Sequence, residues 1–413
     1  MSPARRGHEQ AVLGLLRAHG PLNRGELSRR CGLSRTTLHE TLSGLLATGA
    51  VVTAAPDEAP RGRGRPAEKL ALNPTVGQAL GIDFARRAVY VAAVDVTYEI
   101  VGSAGEAHAP GLPWPDRVAL AERLVRTVVG GGSWQGALKG VGVGVVGPVA
   151  GTRDGTLSGV EALLRERFGG PVLLDNNTRL AALAESTWGA AAGDQDALYL
   201  RLSYGVGGGV VAGGVLHRGA DGVSGEIGHI PVDPAGRLCE CGGTGCLETV
   251  ASVRAVLDAY RARGGRGDDL PALAAAVEAG DPIALSLLSE VGIQIGRVLA
   301  ALSNAIGPRV IVIGGELAEI GGPLLGPVQE ALDAGSVPIS RHRLTLRRAA
   351  LGDVAGALGG VALALGESPL LSRYPAAEPC LGPVGARAGR RDAAPARPRL
   401  ALTPLSLTPV SRG

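Results

Sequence analysis

The sequence predicts an α/β body of two lobes behind a small winged helix-turn-helix head. Three observations carry that reading. Apolar residues recur at helical spacing through the first fifty positions, broken at Gly20-Pro21 and Gly32. From Gly77 onward, short β-rich runs alternate with helical stretches. Val310-Ile311-Val312-Ile313-Gly314-Gly315 then reads as a buried strand ending on a glycine pair.

In the head, Ala11, Val12, Leu15 and Leu16 give a first helix over residues 8–18. Asn23 is placed to cap a second helix that runs through Arg30 with Leu27 inward. Ser34 caps a third, whose stripe is Leu38, Leu42, Leu45 and Leu46. Residues 50–54 pair with 70–72 as a wing. Helix, turn, helix at this spacing is the shape whose second helix enters a DNA major groove. Ser34, Arg35, Thr36, Thr37 and His39, at the start of that helix, are the expected DNA contacts. Between the wing strands, Pro60-Arg61-Gly62-Arg63-Gly64-Arg65-Pro66 alternates cations with the smallest side chain. Arg63 and Arg65 would enter a narrow minor groove.

The body reads as strands over 79–84, 88–95, 140–146, 172–174, 198–202 and 209–215, with helices over 118–129 and 178–188. Helices dominate after residue 250, and the last runs over 353–365. Two groups of strands with crossover helices place a cleft between lobes. The expected domains are 1–74 (head), 75–366 (body) and 367–413, a disordered tail of Pro, Ala, Arg and Ser in which Cys380 is an incidental thiol.

Hydrophobic residues make up 45% of the 413, enough for two or three cores. The 65 glycines show no three-residue period, which excludes collagen. No run approaches the roughly 18 uninterrupted apolar residues of a membrane span, and the first residues lack a signal-peptide core. A cytoplasmic, nucleoid-associated protein with no membrane partner is the expectation. Residues 1–74 hold eleven Lys/Arg against six Asp/Glu, and residues 367–413 seven against three. The chain total is only +3, so the body between them is acidic. A basic head on an acidic body points to DNA for the head alone.

The strongest local motif is His229-x9-Cys239-Glu240-Cys241-x4-Cys246. Three thiolates and one imidazole match a closed tetrahedral zinc site. With no open position, the zinc would be structural. It would tie the loop bearing Glu226 to the helix entered by Glu248.

Gly225-Glu226-Ile227-Gly228-His229, followed by Cys239-Glu240-Cys241-Gly242-Gly243-Thr244-Gly245-Cys246-Leu247-Glu248, resembles the signature of the ROK family (repressor, open reading frame, kinase). Ser203-Tyr204-Gly205-Val206-Gly207-Gly208-Gly209 and Ile313-Gly314-Gly315-Glu316 resemble its glycine loops. The resemblance covers residues 77–366, and the head is similar to that of the family's transcriptional regulators. It implies an actin-like pair of lobes, a homodimer or homotetramer, and a hexose or derivative bound between the lobes. It also implies ring-hydroxyl contacts at Glu226, His229 and Glu248, an asparagine contact at Asn176, and a place in the sugar set for Asn177.

Against the family's kinases, three catalytic parts depart. The position of the proton-accepting Asp, eight residues ahead of Glu185, is Asn177, and an amide is no base at neutral pH. The first phosphate loop, Asp-x-Gly-x-Thr in kinases, reads Asp83-Phe84-Ala85-Arg86-Arg87. Tyr204 stands where a small Thr is usual. The expectation is a repressor of carbohydrate-metabolism genes, with no catalytic residue and no bound ATP, that binds double-stranded operator DNA and answers a sugar effector. The alternative is an active ATP-dependent hexose or N-acetylhexosamine kinase with an accessory DNA-binding head.

Overall fold

The computed structural model describes residues 3–47, 49–54, 68–73, 78–95, 100–129, 138–147, 149, 155–169, 171–341 and 343–367. Its N-terminal unit runs α1 (Pro3–His19), β1 (Leu22–Asn23), α2 (Arg24–Cys31), α3 (Arg35–Ala47), β2 (Val51–Thr53) and β3 (Lys69–Leu72). Asn23 starts α2 through a reciprocal cap. The Glu26 amide donates to Asn23 Oδ1 (2.9 Å), and the Asn23 amide donates to Glu26 Oε2 (2.8 Å). The leucine stripes of α1 and α3 meet Leu27 and Leu70 in one small core. The three strands form an antiparallel sheet in the order β1-β3-β2. Arg63 and Arg65 lie outside the described residues.

The body opens with β4 (Gln78–Phe84), β5 (Ala88–Asp95), β6 (Ile100–Ala107), α4 (Trp114–Val128), β7 (Leu138–Val145), α5 (Gly155–Phe168), β8 (Val172–Asn176) and α6 (Asn177–Thr187). It continues with β9 (Ala197–Leu202), β10 (Val206–Ala212), β11 (Val215–His217), α7 (Glu248–Ala251), α8 (Val253–Ala262), α9 (Leu270–Glu278) and α10 (Pro282–Ile306). Last come β12 (Val310–Gly314), α11 (Gly322–Gly335), α12 (Pro338–Arg341), β13 (Thr345–Arg348) and α13 (Ala355–Glu367).

One topology is used twice. The first sheet has the order β6-β5-β4-β7-β8 and the second β11-β10-β9-β12-β13. In each, an antiparallel three-strand meander is extended by two parallel strands reached through helices. Helices α6 and α13 form the layer between the sheets, in a core that also takes residues of β5, β9 and β12. Glycine permits that contact: a Cβ on Gly142 of β7 would lie 1.8 Å from the Gly360 carbonyl oxygen of α13. The α6 N-terminus is thereby fixed at the mouth between lobes.

The single strand expected over 209–215 is instead a hairpin. Gly213 (φ 58°) and Gly214 (φ 75°) both take the left-handed region, which a two-residue hairpin turn of the primed type requires. Helix α5 fills the stretch between the expected strands over 140–146 and 172–174, and Val160, Leu164 and Phe168, four residues apart, hold it on the first sheet. By length and composition α10 would suit a membrane span, yet it is the core helix of the second lobe. Its Gly292 and Gly296 pack against the α11 backbone.

Candidate functional site

Between the lobes lies a cleft of about 620 Å³. It is framed by the β4–β5 turn, the start of α6, the β9–β10 turn and the loop of residues 218–248. Asn176, Asn177, Glu226, His229 and Glu248 all line it, so the five residues expected to meet a sugar come together.

One wall is built by the cysteine loop. The donor atoms of His229, Cys239, Cys241 and Cys246 lie within 4.8 Å of one another. Cys241 Sγ is 3.7 Å from Cys246 Sγ, and Cys239 Sγ is 3.5 Å from His229 Nδ1. Four ligands placed tetrahedrally at a zinc–sulfur distance of about 2.3 Å stand roughly 3.8 Å apart, so the donor set fits a cation of that kind. Two isolated bridges, Pro231 with Cys246 and Leu238 with Thr244, hold the loop closed on itself. His229 turns its other nitrogen, Nε2, toward Glu226 Oε2 at 3.9 Å. Cys246 leads directly into α7, whose first residue, Glu248, accepts from the Val206 amide (2.8 Å). The cluster therefore positions the two carboxylates from behind.

The opposite wall is engaged with itself. Asn176 caps α6: its side-chain oxygen accepts from the Thr178 (2.9 Å) and Arg179 (3.1 Å) amides, and its Nδ2 donates to the Gly147 carbonyl (3.0 Å). Asn177 is buried, and its Nδ2 donates to Asp83 Oδ1 (3.1 Å). A carboxylate only accepts, so the amide nitrogen must face it. Asp175 is also buried, but Arg179 Nε (2.8 Å) and Arg218 Nε (2.7 Å) both donate to it. Its carboxylate is thus neutralised beneath α6 and does not line the cleft.

Asp83 is fully buried, and its Oδ2 has no hydrogen-bond partner among the described residues. Burial pushes its carboxyl up to about 6, opposed by the nearby Arg201 charge and the Asn177 amide. Burial likewise raises Asp353 and the Tyr90 phenol. Arg201 stands among these groups and Glu316. Burial alone would lower its pKa, but Tyr199 and the surrounding carboxylates outweigh that. The one signal for Arg201 in the sequence was a cation inside the apolar strand run 197–202. At the mouth, the Arg87 guanidinium of the first lobe lies 5.7 Å from the ring centroid of Tyr204 in the second. Two of the residues that depart from the kinase phosphate loops thus meet across the cleft.

In the head, Ser34 Oγ accepts from the Thr37 amide (3.1 Å) and lies 2.8 Å from Thr37 Oγ1, so both residues form the start of α3. Arg35, Thr36 and His39 are exposed on its outer face.

Residues 131–367 match the ROK family. A glucokinase of Halalkalibacterium halodurans is 38% identical over 207 residues, which are 46% of this chain and 62% of that enzyme. The chain thus spans less than two thirds of that kinase. The DNA-binding transcriptional dual regulator NagC of Escherichia coli (strain K12) is 27% identical over 375 residues, covering 86% of this chain and 91% of the regulator. A solved ROK family transcriptional regulator, a homolog of the E. coli MLC protein, superposes with a TM-score of 0.74 at 25% identity. That superposition covers 89% of this chain and 98% of the other. The chain belongs to the ROK family and has its two-lobed, actin-like fold.

Proposed function

With that membership as the premise, we propose that the chain is a sugar-responsive DNA-binding repressor of carbohydrate-metabolism genes. Residues 1–74 read the operator and residues 75–366 sense the sugar without phosphorylating it. Both the fold class and the likeness to full-length regulators support this. The observation that carries the non-catalytic half is the Asn177–Asp83 hydrogen bond, an amide and a buried acid joined where phosphoryl transfer needs a free carboxylate. The glucokinase likeness favours a second reading, an active kinase with a DNA-binding head.

In this account His229, Cys239, Cys241 and Cys246 hold a structural zinc. Zinc would fix the loop, leaving Glu226, His229 and Glu248 to accept and donate to ring hydroxyls beside Asn176 and Asn177. Ser34, Arg35, Thr36, Thr37 and His39 start the reading helix, and Arg63 and Arg65 enter the minor groove. Two heads of a homodimer or homotetramer dock in successive major grooves. Sugar binding shifts lobe closure and with it the spacing of the heads, a coupling of about 1–3 kcal/mol. The protein acts in the cytoplasm, on the nucleoid.

A footprint on the DNA upstream of its own gene, with and without hexoses and N-acetylhexosamines, tests the whole reading. Protection that one sugar alters is expected; a footprint indifferent to all of them contradicts it. Replacing Arg63 and Arg65 with Ala should flatten the salt dependence of binding by up to about two units of slope.

A further inference from the structure

The exposed face of helix α3 extends past the residues that the sequence singled out. Leu38, Thr41, Leu42 and Leu45 are its buried wall. Arg35, Thr36, His39, Glu40 and Ser43 are exposed and lie on adjoining rows of the opposite side, at spacings of three, four and eight. Ser34 and Thr37 are occupied in the helix start. The outward row therefore contains a carboxylate, Glu40, in a domain of net positive charge.

That acid stands apart from the others around it. Glu26 closes the α2 capping box, Glu68 accepts from Thr53 Oγ1 (3.2 Å) and faces Arg24, and Glu9 has an interaction partner of its own. Glu40 makes no hydrogen bond or ion pair among the described residues, so folding of the unit does not require it. A bare negative charge aimed at a polyanion weakens binding unless it meets a donor on a base edge. In the major groove cytosine offers its N4 amino group with only the C5–H beside it on its own base, whereas adenine sets the acceptor N7 next to its N6.

We propose that Glu40 is a specificity-determining residue, reading the N4 amino group of one cytosine in each half-site and rejecting the other three base pairs by leaving its charge unpaired. The inference rests on the DNA-binding reading of the head. The discrimination comes as much from exclusion as from attraction.

The test is selection by the full-length chain from a randomised duplex DNA pool, with wild type, Glu40→Ala and Glu40→Gln compared. Both variants should keep the wild-type melting temperature. Wild type should enrich C·G at one position per half-site, and replacing that pair should weaken it at least about fivefold. Glu40→Ala should flatten that position and keep the remaining consensus; Glu40→Gln should move it toward A·T, the pair a glutamine amide reads. If wild type selects a consensus and both variants select the same one, the Glu40 assignment falls and the DNA-binding reading stands. If wild type enriches no sequence, the DNA-binding reading falls, and this assignment with it.

Discussion

The two walls of the cleft hold similar numbers of polar groups but differ in what those groups face. On the cysteine-loop wall, Glu226, His229 and Glu248 are steered from behind by a four-donor cluster and a backbone amide, and they line the cavity. On the α6 wall, Asn176 and Asn177, with Asp83 and Asp175 buried behind them, are engaged with caps, amides and guanidinium groups of the same chain. The first arrangement is preorganised for an outside ligand. The second has closed on itself where phosphoryl chemistry would need open groups. In the proposed reading, sugar recognition rests mainly on the first wall, and the second, which still offers Asn176 and Asn177, has lost the chemistry.

The largest expected effect breaks the first wall. Cys241→Ser should remove the metal and destabilise the fold by about 4 kcal/mol or more, as loss of a structural metal does. The thermal shift given by an effector sugar should vanish with it. Metal analysis and melting curves check both; one zinc per chain in the variant would show that the donor set is misassigned.

The next effect lies on the second wall. The Asp83 carboxyl titrates near 6 when folded against 3.8 for the free group, so the folded chain binds that proton more tightly. Its contribution to stability is complete below about pH 4 and is lost as pH rises through 6. Asp83→Asn should therefore be up to about 3 kcal/mol more stable than wild type at pH 7.5, a gain that disappears near pH 4. Urea melts across that range decide it, and a pH-independent difference would exclude the buried-charge explanation. Conversely, Asn177→Asp sets a second carboxylate against Asp83. It should cost about 1–3 kcal/mol at pH 7.5 and less at pH 5. It should also yield no kinase turnover, because Arg87 and Tyr204 still span the phosphate region.

The smallest effect concerns the bridge between walls. An exposed cation–π contact is worth about 0.5–1 kcal/mol. Arg87→Ala and Tyr204→Ala should each change sugar affinity less than about fivefold, and the double variant no more than either single one. Additive changes in calorimetric titrations would mean that the two side chains act separately.

Much of this was legible in the chain because its signals are local. Capping by Asn23 and Ser34, the leucine stripes, the spacing of His229 with the three cysteines, and the strand-then-helix run around Asn176 all depend on neighbours within fewer than twenty residues. What stayed hidden depends on distant pairing. Asp83 and Asn177 are 94 residues apart. Arg87 meets Tyr204 only because the two sheets face each other. Asp175 meets Arg218, 43 residues away in a segment with no pattern of its own. The hairpin at Gly213-Gly214 was missed because an apolar run on both sides of two glycines reads as one strand. Helix α5 was missed because Gly155 and Gly159 dilute its helical spacing.

The most direct test of the central claim is to incubate the purified, zinc-loaded chain with ATP, magnesium and each sugar that raises its melting temperature, and to assay for the phosphorylated sugar. The account predicts binding of the sugar with no sugar phosphate above the enzyme-free control. Accumulation of sugar phosphate at kinase-like rates, about one turnover per second or faster, would contradict it.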